Sequence, residues 1–335
     1  MSTDLKIAIL YSDAKREYFP TEDQYISEYE CKERAGMIAA SLSAMKITAA
    51  TFPGDNHLSH NLKKFKPNFA INLVDSVYGQ EYLQATIPAI LELLKIPYTG
   101  TAMMGLTITT NKYFNKNLLE QYGLTTPKYQ LITNPTDVID PALDFPLIAK
   151  LNEVHGSLEI QENSISDNEK DLRSKISFLM NTYHQPVLIE EYVAGREVTA
   201  IVLEGANTKV YAAEKIFNPE KFKQKYQIVT FDDNFRDPGN LAYSYQKYEL
   251  PPRAQLQVKK AFEILKMDDY AKFDLRVDAS GRHYFIDCNA NPAIGPKDCA
   301  IGNILKLYDI SFEEILKRII KNTLNGQAAD FSQLI

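Results

Sequence analysis

The sequence predicts a mixed α/β protein made of one α/β domain followed by two further α/β units. Strand-length apolar runs alternate with helix-length stretches, this pattern restarts twice along the chain, and a charged hairpin lies near its end. The chain has 335 residues, of which 45% are hydrophobic and 24% are charged. These values are typical of a globular protein with two or three domains.

The first third of the chain alternates between predicted strands and predicted helices. The strands are KIAIL (6–10), ITAATF (47–52) and FAINLV (69–74), and the helices are residues 26–45, residues 57–65 and a stretch from residue 81 that ends before Pro97. This order is typical of a mostly parallel sheet covered by helices, so we expect a Rossmann-like domain over residues 1–108. No G-x-G-x-x-G motif follows the first strand, so a dinucleotide is not indicated.

Two more α/β units follow, with a boundary expected near residues 107–110. The second unit, residues 109–193, contains a helix at 111–123, strands at 129–132, 145–150, 158–161 and 187–193, and a helix at 167–180. The third unit, residues 194–335, contains a strand after Gly195, a helix near 253–266, the charged hairpin and an amphipathic helix at 311–322. Residues 214–247 form a long polar excursion, which is either a lid or a surface meander.

The charged hairpin, AKFDLRVD and HYFIDCN within residues 271–289, is the most informative segment. Its short turn predicts antiparallel pairs of Asp278 with His283, Arg276 with Phe285, Asp274 with Asp287 and Lys272 with Asn289. The charged residues would then share one face, and Tyr284, Ile286 and Cys288 the other. Opposed carboxylates repel unless a cation lies between them, and such oxygen ligands suit Mg²⁺ on nucleotide phosphates. The alternative is an ordinary sheet with one wet face.

Other candidate nucleotide-binding residues lie at strand ends and in loops. Lys150 ends an apolar strand, and the loop that contains Ser157 follows it, so both could reach a phosphate. Lys112 lies near a helix N-terminus, where a bound anion would offset its unfavourable position. Glu190 closes a strand and could frame an adenine, with Glu197 near the ribose. The alternative is that these strand-end side chains simply face water.

Composition excludes several other classes of function. The net charge of −6 argues against nucleic acid as a partner. Three scattered cysteines suggest neither a disulfide framework nor a zinc site. We find neither a signal sequence nor an apolar run of membrane-spanning length, so we expect a cytoplasmic protein without a membrane partner.

Taken together, these segments resemble the ATP-grasp enzymes, and within them the D-alanine–D-alanine ligases. The matching stretches are IPYTG (96–100), TNKYFNKNLLEQYGL (110–124), FPLIAK (145–150), VLIEEYVAGREVT (187–199), KFDLRVDASGRHYFIDCNANP (272–292) and ISFEEILKRII (310–320). The resemblance implies the ATP-grasp fold, in which two subdomains, residues 109–193 and 194–335, hold ATP between two sheets. It also implies an ADP-forming ligase that makes an amide or dipeptide bond through an acyl phosphate.

The resemblance implies roles for residues at matching positions. Lys112 and Lys150 would hold the ATP phosphates, Glu190, Glu191 and Val193 would frame the adenine, and Glu197 would bind the ribose. Asp274, Asp287 and Asn289 would hold two Mg²⁺ ions, with Mn²⁺ as an alternative. Lys225 and Tyr226 would form the lid pair over the γ-phosphate. Lys272, Arg276, Tyr226 and Ser157 are the catalytic candidates, and Glu30 and Asn291 would contact the substrates. A homodimer formed through the first domain is a further implication.

Several positions depart from the ligase pattern. Lys272 replaces an arginine, Asp287 replaces a glutamate, and the loop at 155–159 replaces one richer in glycine and serine. Val74, Asp75 and Ser76 stand where the family has a histidine, and residues 291–293 replace Ser-Pro-Gly. Substrate-facing positions have changed more than the ATP-binding ones. A ligase that joins another amino acid or small carboxylate to an amine is therefore an alternative, and a degenerate ATP-binding protein is a third.

Overall fold

The computed structural model describes residues 5–220, 222, 224–236, 242–296 and 299–325. Its strands form three separate sheets, and each sheet has helices packed against it. The strands are β1 (Lys6–Tyr11), β2 (Thr48–Pro53), β3 (Phe69–Leu73), β4 (Tyr129–Ile132), β5 (Leu147–Leu151), β6 (Ile165–Ser166), β7 (Val187–Glu191), β8 (Arg196–Leu203), β9 (Lys209–Phe217), β10 (Tyr243–Lys247), β11 (Tyr270–Val277) and β12 (His283–Asn289).

The first sheet is parallel, in the order β2-β1-β3, which confirms the Rossmann-like prediction. Its helices are α1 (Glu22–Glu28), α2 (Cys31–Ala44), α3 (Leu58–Phe65) and α4 (Thr86–Leu93). The prediction of a single helix at residues 26–45 is wrong, because the helix is interrupted at residues 29–30, between α1 and α2. The Thr21 side chain caps α1 by accepting a hydrogen bond from the Gln24 amide at 3.3 Å. This break turns Glu28 inward and leaves Glu30 exposed.

The second sheet is antiparallel, in the order β4-β7-β5-β6. The helix packed on it is α7 (Glu169–Tyr183), whereas α5 (Met103–Thr110) and α6 (Lys112–Gln121) place Leu106 and Leu119 in the core of the third sheet. The expected domain boundary at 107–110 falls inside α5. The strand predicted at 158–161 is wrong: Ser157 and Glu159 have positive φ values of 58° and 61°, a turn conformation that extended strands do not adopt.

The third sheet is antiparallel, in the order β10-β9-β8-β11-β12. The helices in this part of the chain are α8 (Phe231–Phe235), which packs into the core of the second sheet, and α9 (Pro252–Ile264), α10 (Ala300–Lys306) and α11 (Phe312–Asn325), which pack on the third sheet. The excursion at 214–247 contains the end of β9, all of α8 and all of β10, so it is more regular than the sequence suggests. Residues 221, 223 and 237–241 of the excursion lie outside the described residues.

The hairpin of β11 and β12 has the predicted register only at its open end. Lys272 pairs with Asn289 and Asp274 pairs with Asp287, but a bulge follows and the next pair is Leu275 with Phe285. The predicted pair of Arg276 with Phe285 is therefore wrong, and Arg276 lies opposite Tyr284. Ile286 is the extra residue of the bulge.

The bulge places the side chains of Phe285 and Ile286 on the faces opposite to those that the predicted register gives them. Phe285 joins the core beside Phe273, with ring centroids 5.8 Å apart, whereas Ile286 lines a cavity on the other face. The backbone of Phe285 is bonded outside the hairpin, because its N–H donates to the Thr125 carbonyl at 2.9 Å and its carbonyl accepts from Lys116 at 3.2 Å. These two bonds explain why regular pairing stops here.

One core joins the first unit to the third. Buried residues of β1, β3 and α2 pack with α10, α11 and one half of a face of the third sheet, represented by Ile201 and Tyr270. The other half of that face carries Glu197 and Asp274 toward the second sheet. A cleft between the second and third sheets results. Among the described residues, no helix has the length and apolar character needed to cross a membrane.

Candidate nucleotide and substrate site

Two adjoining cavities occupy this cleft and its continuation toward the first unit. The nucleotide-side cavity, about 100 Å³, lies between β5 and the hairpin and is lined by Lys112, Lys150 and Glu197. The substrate-side cavity, about 320 Å³, extends to α1 and α2 of the first unit. Both cavities are lined by Asp274 and Asp287, so the two aspartates lie at their junction.

Asp274 and Asp287 are paired directly across the hairpin, as the sequence predicts. Thr199 donates to Asp274 Oδ1 at 2.7 Å, and the Lys272 ammonium contacts Asp274 Oδ2. Asn289 donates to Asp287 Oδ2 at 3.2 Å, while Asp287 Oδ1 is buried and accepts no hydrogen bond. Such an oxygen can serve as a ligand for a hard cation.

The chemistry of this set fits Mg²⁺ bound together with phosphate. Two carboxylates and one amide oxygen are suitable ligands, and phosphate oxygens normally complete the shell of such an ion. Among the described residues no group of three or more His, Cys, Asp or Glu could hold a metal, so the protein alone offers an incomplete set. The site therefore suits a nucleotide-bound ion better than a structural metal.

Both aspartates are held ionised. Burial alone would raise the pKa of Asp287, but Lys112 and other nearby cations hold that pKa well below its usual range. Burial would likewise raise the pKa of Asp274, and the charges of Lys272 and Lys215 lower it instead. Two buried anions surrounded by cations are the electrostatic setting that a divalent ion and a polyphosphate can share.

The two predicted phosphate-binding lysines lie at the nucleotide-side cavity. Lys112 is buried at the start of α6, where Asn111 caps the helix by accepting from the Phe114 amide at 3.0 Å. Its ammonium donates to the Val154 carbonyl and lies 4.0 Å from Asp287 Oδ1. Lys150 extends from β5 and forms an ion pair with Glu190 at 3.0 Å.

The segment predicted to frame an adenine lies beside the cavity and does not line it. Glu190 is fully buried between Lys150 and Lys116, each at 3.0 Å, and these cations lower the pKa that burial would otherwise raise. Glu191 forms an ion pair with Lys128 at 3.1 Å. The sequence reasoning missed Lys116, although its place one helical turn after Lys112 was a usable signal.

Arg276 is placed away from both cavities. Its guanidinium donates to the carbonyls of Val193 at 2.9 Å, Gly195 at 3.0 Å and Gln227 at 2.7 Å. Two further donors reach Tyr192 Oη at 2.8 Å and Glu197 at 3.2 Å. All five N–H groups of an arginine are thereby used. Arg276 ties the turn after β7 to the excursion and has no donor left for a reacting group.

Glu197 and Lys215 form a buried ion pair at 2.6 Å on the wall of the nucleotide-side cavity. Lys215 lines both cavities, and the charges of Glu197 and Asp274 keep its pKa well above the usual value although burial opposes this. The sequence reasoning missed Lys215, because it assigned residue 214 onward to a polar excursion. A strand prediction for β9 would have placed it beside Glu197.

The predicted lid pair lies outside both cavities. Lys225 forms an exposed ion pair with Asp167 at 2.7 Å, and the Tyr226 hydroxyl contacts the same carboxylate. The Tyr226 ring packs on Tyr192, with centroids 5.0 Å apart. The next residues of the excursion, Ile228 and Val229, do line the nucleotide-side cavity. The excursion therefore covers this cavity while its lysine and tyrosine point to the second unit.

The substrate-side cavity contains two of the other predicted residues and excludes one. Asn291 lines it and is held by hydrogen bonds with Tyr270 at 3.3 Å and with the Val74 carbonyl at 3.2 Å. Ser157 lines both cavities and accepts from Asn234 at 3.4 Å. Glu30 is exposed, and its carboxylate accepts from Tyr29 at 2.9 Å. Glu28, two residues earlier, lines the cavity instead.

Comparison with known proteins identifies the family. Residues 118–321 match the family described as D-ala D-ala ligase C-terminus. The D-alanine–D-alanine ligase of Hydrogenovibrio crunogenus is 27% identical over 251 residues, which cover 74% of this chain and 76% of that protein.

Solved structures share the fold. A D-alanine–D-alanine ligase from Bacillus anthracis, crystallised with ATP, superposes with a TM-score of 0.73 at 20% identity and covers 96% of this chain and 98% of its own. The VanG D-Ala:D-Ser ligase from Enterococcus faecalis gives a TM-score of 0.68 at 16% identity and covers 96% and 99%. Because the family match spans more than half of the chain, the chain belongs to the D-alanine–D-alanine ligase family and is an ATP-dependent ligase of the ATP-grasp fold that forms a carbon–nitrogen bond.

Proposed function

We propose that this protein is an ADP-forming ligase that joins the carboxylate of an amino acid or similar small acid to an amine, with ATP in the nucleotide-side cavity. The observation that carries the proposal is the pair Asp274 and Asp287 at the junction of both cavities. A phosphate in one cavity and a carboxylate in the other would meet at this junction, which is what phosphoryl transfer between them requires.

The proposed reaction has two steps. A carboxylate oxygen of the first substrate attacks the γ-phosphorus of ATP, the bond to the bridging oxygen breaks, and ADP leaves. The amine nitrogen of the second substrate then attacks the acyl carbon and phosphate leaves. The net products are an amide, ADP, phosphate and one proton.

We assign the metal role to Asp274, Asp287 and Asn289, with two Mg²⁺ ions as the resemblance implies. Bound Mg²⁺ would neutralise phosphate charge and hold the transferring group in line. Lys112 and Lys150 would bind the phosphates, because both ammonium groups reach the same cavity. Glu197 and Lys215 would lie near the sugar, and Ile148, Ile160 and Ile228 supply apolar surface for a base.

Lys272 is the candidate catalytic residue. Its ammonium lies beside Asp274 and lines the substrate-side cavity, where negative charge develops on the tetrahedral intermediate. Ser157 lines the same cavity and would orient the first substrate. Arg276 would act as a positioning residue, because it holds residues 193–197 in place. Lys225 and Tyr226 would reach the phosphates only after leaving Asp167.

We further propose that the two preferred substrates are not both D-alanine. Residues 74–76 stand where the resemblance places a histidine, and Asp75 among them lines the substrate-side cavity. A solved relative is described as a D-Ala:D-Ser ligase, so second substrates differ among proteins of this fold. A homodimer formed through the first unit is a further proposal, which sedimentation would test.

The experiment is a substrate panel with the full chain, ATP and Mg²⁺. ADP and phosphate release are followed with single amino acids and with pairs in both configurations, and mass spectrometry identifies the amide. ADP release that depends on two substrates and matches amide yield supports the proposal. Turnover with D-alanine alone would identify a plain dipeptide ligase, and no turnover with any pair would indicate a degenerate ATP-binding protein.

A further inference from the structure

The wall of the substrate-side cavity formed by the first unit is strongly acidic. Glu28 from α1, Asp75 after β3 and Glu81 before α4 all line it. The three carboxylates come from different parts of the chain and face one space of about 320 Å³. Asp274 and Asp287 line the same space, so the acidic wall and the proposed phosphoryl-transfer site share one cavity.

These three carboxylates have neutral hydrogen-bond partners. Ser76 donates to Glu28 at 2.6 Å, and the backbone N–H of His155 donates to both oxygens of Glu81 at 3.0 Å. Cys31 donates to Asp75 at 3.9 Å. No ion pair within 4.0 Å involves any of the three among the described residues. Hydroxyl and amide donors orient a carboxylate without cancelling its charge.

The cations that line the cavity do not balance this charge. Lys272 is paired with Asp274, and Lys215 is paired with Glu197 at 2.6 Å. Arg34 of α2 is the remaining lysine or arginine of the described lining. Three carboxylates face one guanidinium there, and the α-ammonium of an amino acid would supply one more cation. One carboxylate is then left without a cation, and a buried carboxylate in that position either takes up a proton or binds a further positive group.

We propose that the first substrate, whose carboxylate is phosphorylated, is a diamino acid or a similar amino acid with a second cationic group. The inference rests on the proposed ligase function and goes beyond it by naming the substrate class. The α-ammonium would bind near Glu28, and the second cation would bind between Asp75 and Glu81. Burial raises the pKa of Glu28 to about 8 and that of Asp75 to about 6, although the charge of Arg34 opposes the rise at Asp75, so these carboxylates take up protons that a substrate cation would displace.

The test isolates the first substrate by replacing the second with hydroxylamine. Hydroxylamine attacks the acyl phosphate and gives a hydroxamate, so its formation with ATP and Mg²⁺ reports which amino acid is activated. D- and L-lysine are compared with norleucine of the same configuration, and ornithine with norvaline. These pairs have similar shapes and differ by one cation. We expect kcat/KM to be at least about tenfold higher for the diamino acid of one pair.

Matched variants assign the preference to the acidic wall. Asp75→Asn should lower the ratio of the cationic to the neutral substrate by about tenfold or more, with KM changing more than kcat. Glu33→Gln removes an exposed carboxylate of α2, the helix that also carries Arg34, and should leave the ratio unchanged. Because Asp75→Asn could also disturb folding, the neutral substrate serves as an internal control in the same preparation.

Two results would overturn the inference. Equal rates for the cationic and neutral partners would mean that a proton balances the wall, and the ligase proposal would stand. An unchanged ratio in Asp75→Asn would place the preference elsewhere. Absence of any hydroxamate or ADP with the full panel would overturn the ligase proposal and this inference together.

Discussion

The buried carboxylates in the cleft differ in whether cations lie near them. Asp287 is surrounded by cations, whereas Glu28 is buried near two other carboxylates and accepts from Ser76. Two carboxylates in the same cleft therefore have opposite pKa shifts, because burial raises the pKa of a carboxylate unless nearby cations outweigh it. The sequence predicts Asp287 through its pair on the hairpin. It predicts Glu30 at the substrate site, where the structure has Glu28, because the interruption between α1 and α2 changes which glutamate faces inward.

The raised pKa of Glu28 predicts a pH dependence of stability. Its pKa is about 8 in the folded protein, above the ordinary glutamate value, so the folded state retains a proton that the unfolded state loses. The free energy of unfolding should therefore fall between pH 5 and pH 8, by on the order of 3 kcal/mol from this group. The neighbouring groups are Asp75, Glu81 and the hydroxyls of Ser12 and Ser76.

Chemical denaturation across this pH range checks the prediction. The variant Glu28→Gln should have a flatter profile and should be the more stable protein at pH 8. A profile that is equally steep in both proteins would assign the pH dependence to other groups.

Arg276 gives a second prediction at the residue scale. Arg276→Lys keeps the charge but cannot reach all five partners, so we expect the free energy of unfolding to fall by about 2–4 kcal/mol. The KM for ATP should rise roughly tenfold and kcat should change less. Denaturation and steady-state kinetics measure these quantities. A large loss of kcat at unchanged stability would instead indicate a catalytic role.

Among the elements, we expect the excursion at 214–247 to control access of the nucleotide to its cavity. The nucleotide-side cavity of about 100 Å³ is smaller than ligand pockets, which span roughly 300–1,000 Å³. Ile228 and Val229 occupy its wall, so we expect this segment to move when ATP binds. The exposed contact of Lys225 and Tyr226 with Asp167 is the tether that must break.

Releasing that tether should favour nucleotide binding. An exposed ion pair contributes little to stability, so Asp167→Asn should lower the KM for ATP by up to about fivefold and barely change the free energy of unfolding. Glu162→Gln, an exposed change near Asp167 in the same unit, is the control. A higher KM in Asp167→Asn would mean that the contact belongs to the nucleotide-bound conformation.

Sequence patterns identify most elements and misplace those set by distant contacts. The strands β1, β3, β4 and β7 follow their apolar runs, because local burial determines them. The hairpin bulge could not be predicted, because it depends on hydrogen bonds from Phe285 to Thr125 and Lys116. Among the residues that line the two cavities, the sequence predicts Lys112, Lys150, Asp274 and Asp287. Lys215 and Glu28 are recognised only from the tertiary structure, because distant contacts place them there.

For the whole molecule, the shared core of the first and third units fixes the substrate-side cavity. Helices α10 and α11 pack against the first and third sheets. One apolar core therefore holds the acidic wall and the hairpin in place. The second sheet has its own core with α7 and Phe231. We therefore expect the second unit to move relative to the other two.

A core substitution tests this arrangement. Ile304 of α10 is fully buried in the shared core, so Ile304→Ala should lower stability by about 2–5 kcal/mol. Hydrogen exchange should accelerate in both β1 and β8. Lys306→Ala, an exposed change at the end of the same helix, is the control. Acceleration confined to β8 would show that the first unit is stable without the third.

The most direct test of the whole account is metal-dependent nucleotide turnover in Asp287→Asn. The account predicts that this variant binds Mn²⁺ weakly in the presence of ADP and loses at least about 100-fold in Mg²⁺-dependent ADP formation. Asp144→Asn, whose carboxylate is 87% exposed, should keep both properties within about twofold. Unchanged metal binding and turnover in a folded Asp287→Asn protein would contradict the assignment of the hairpin as the metal and phosphate site.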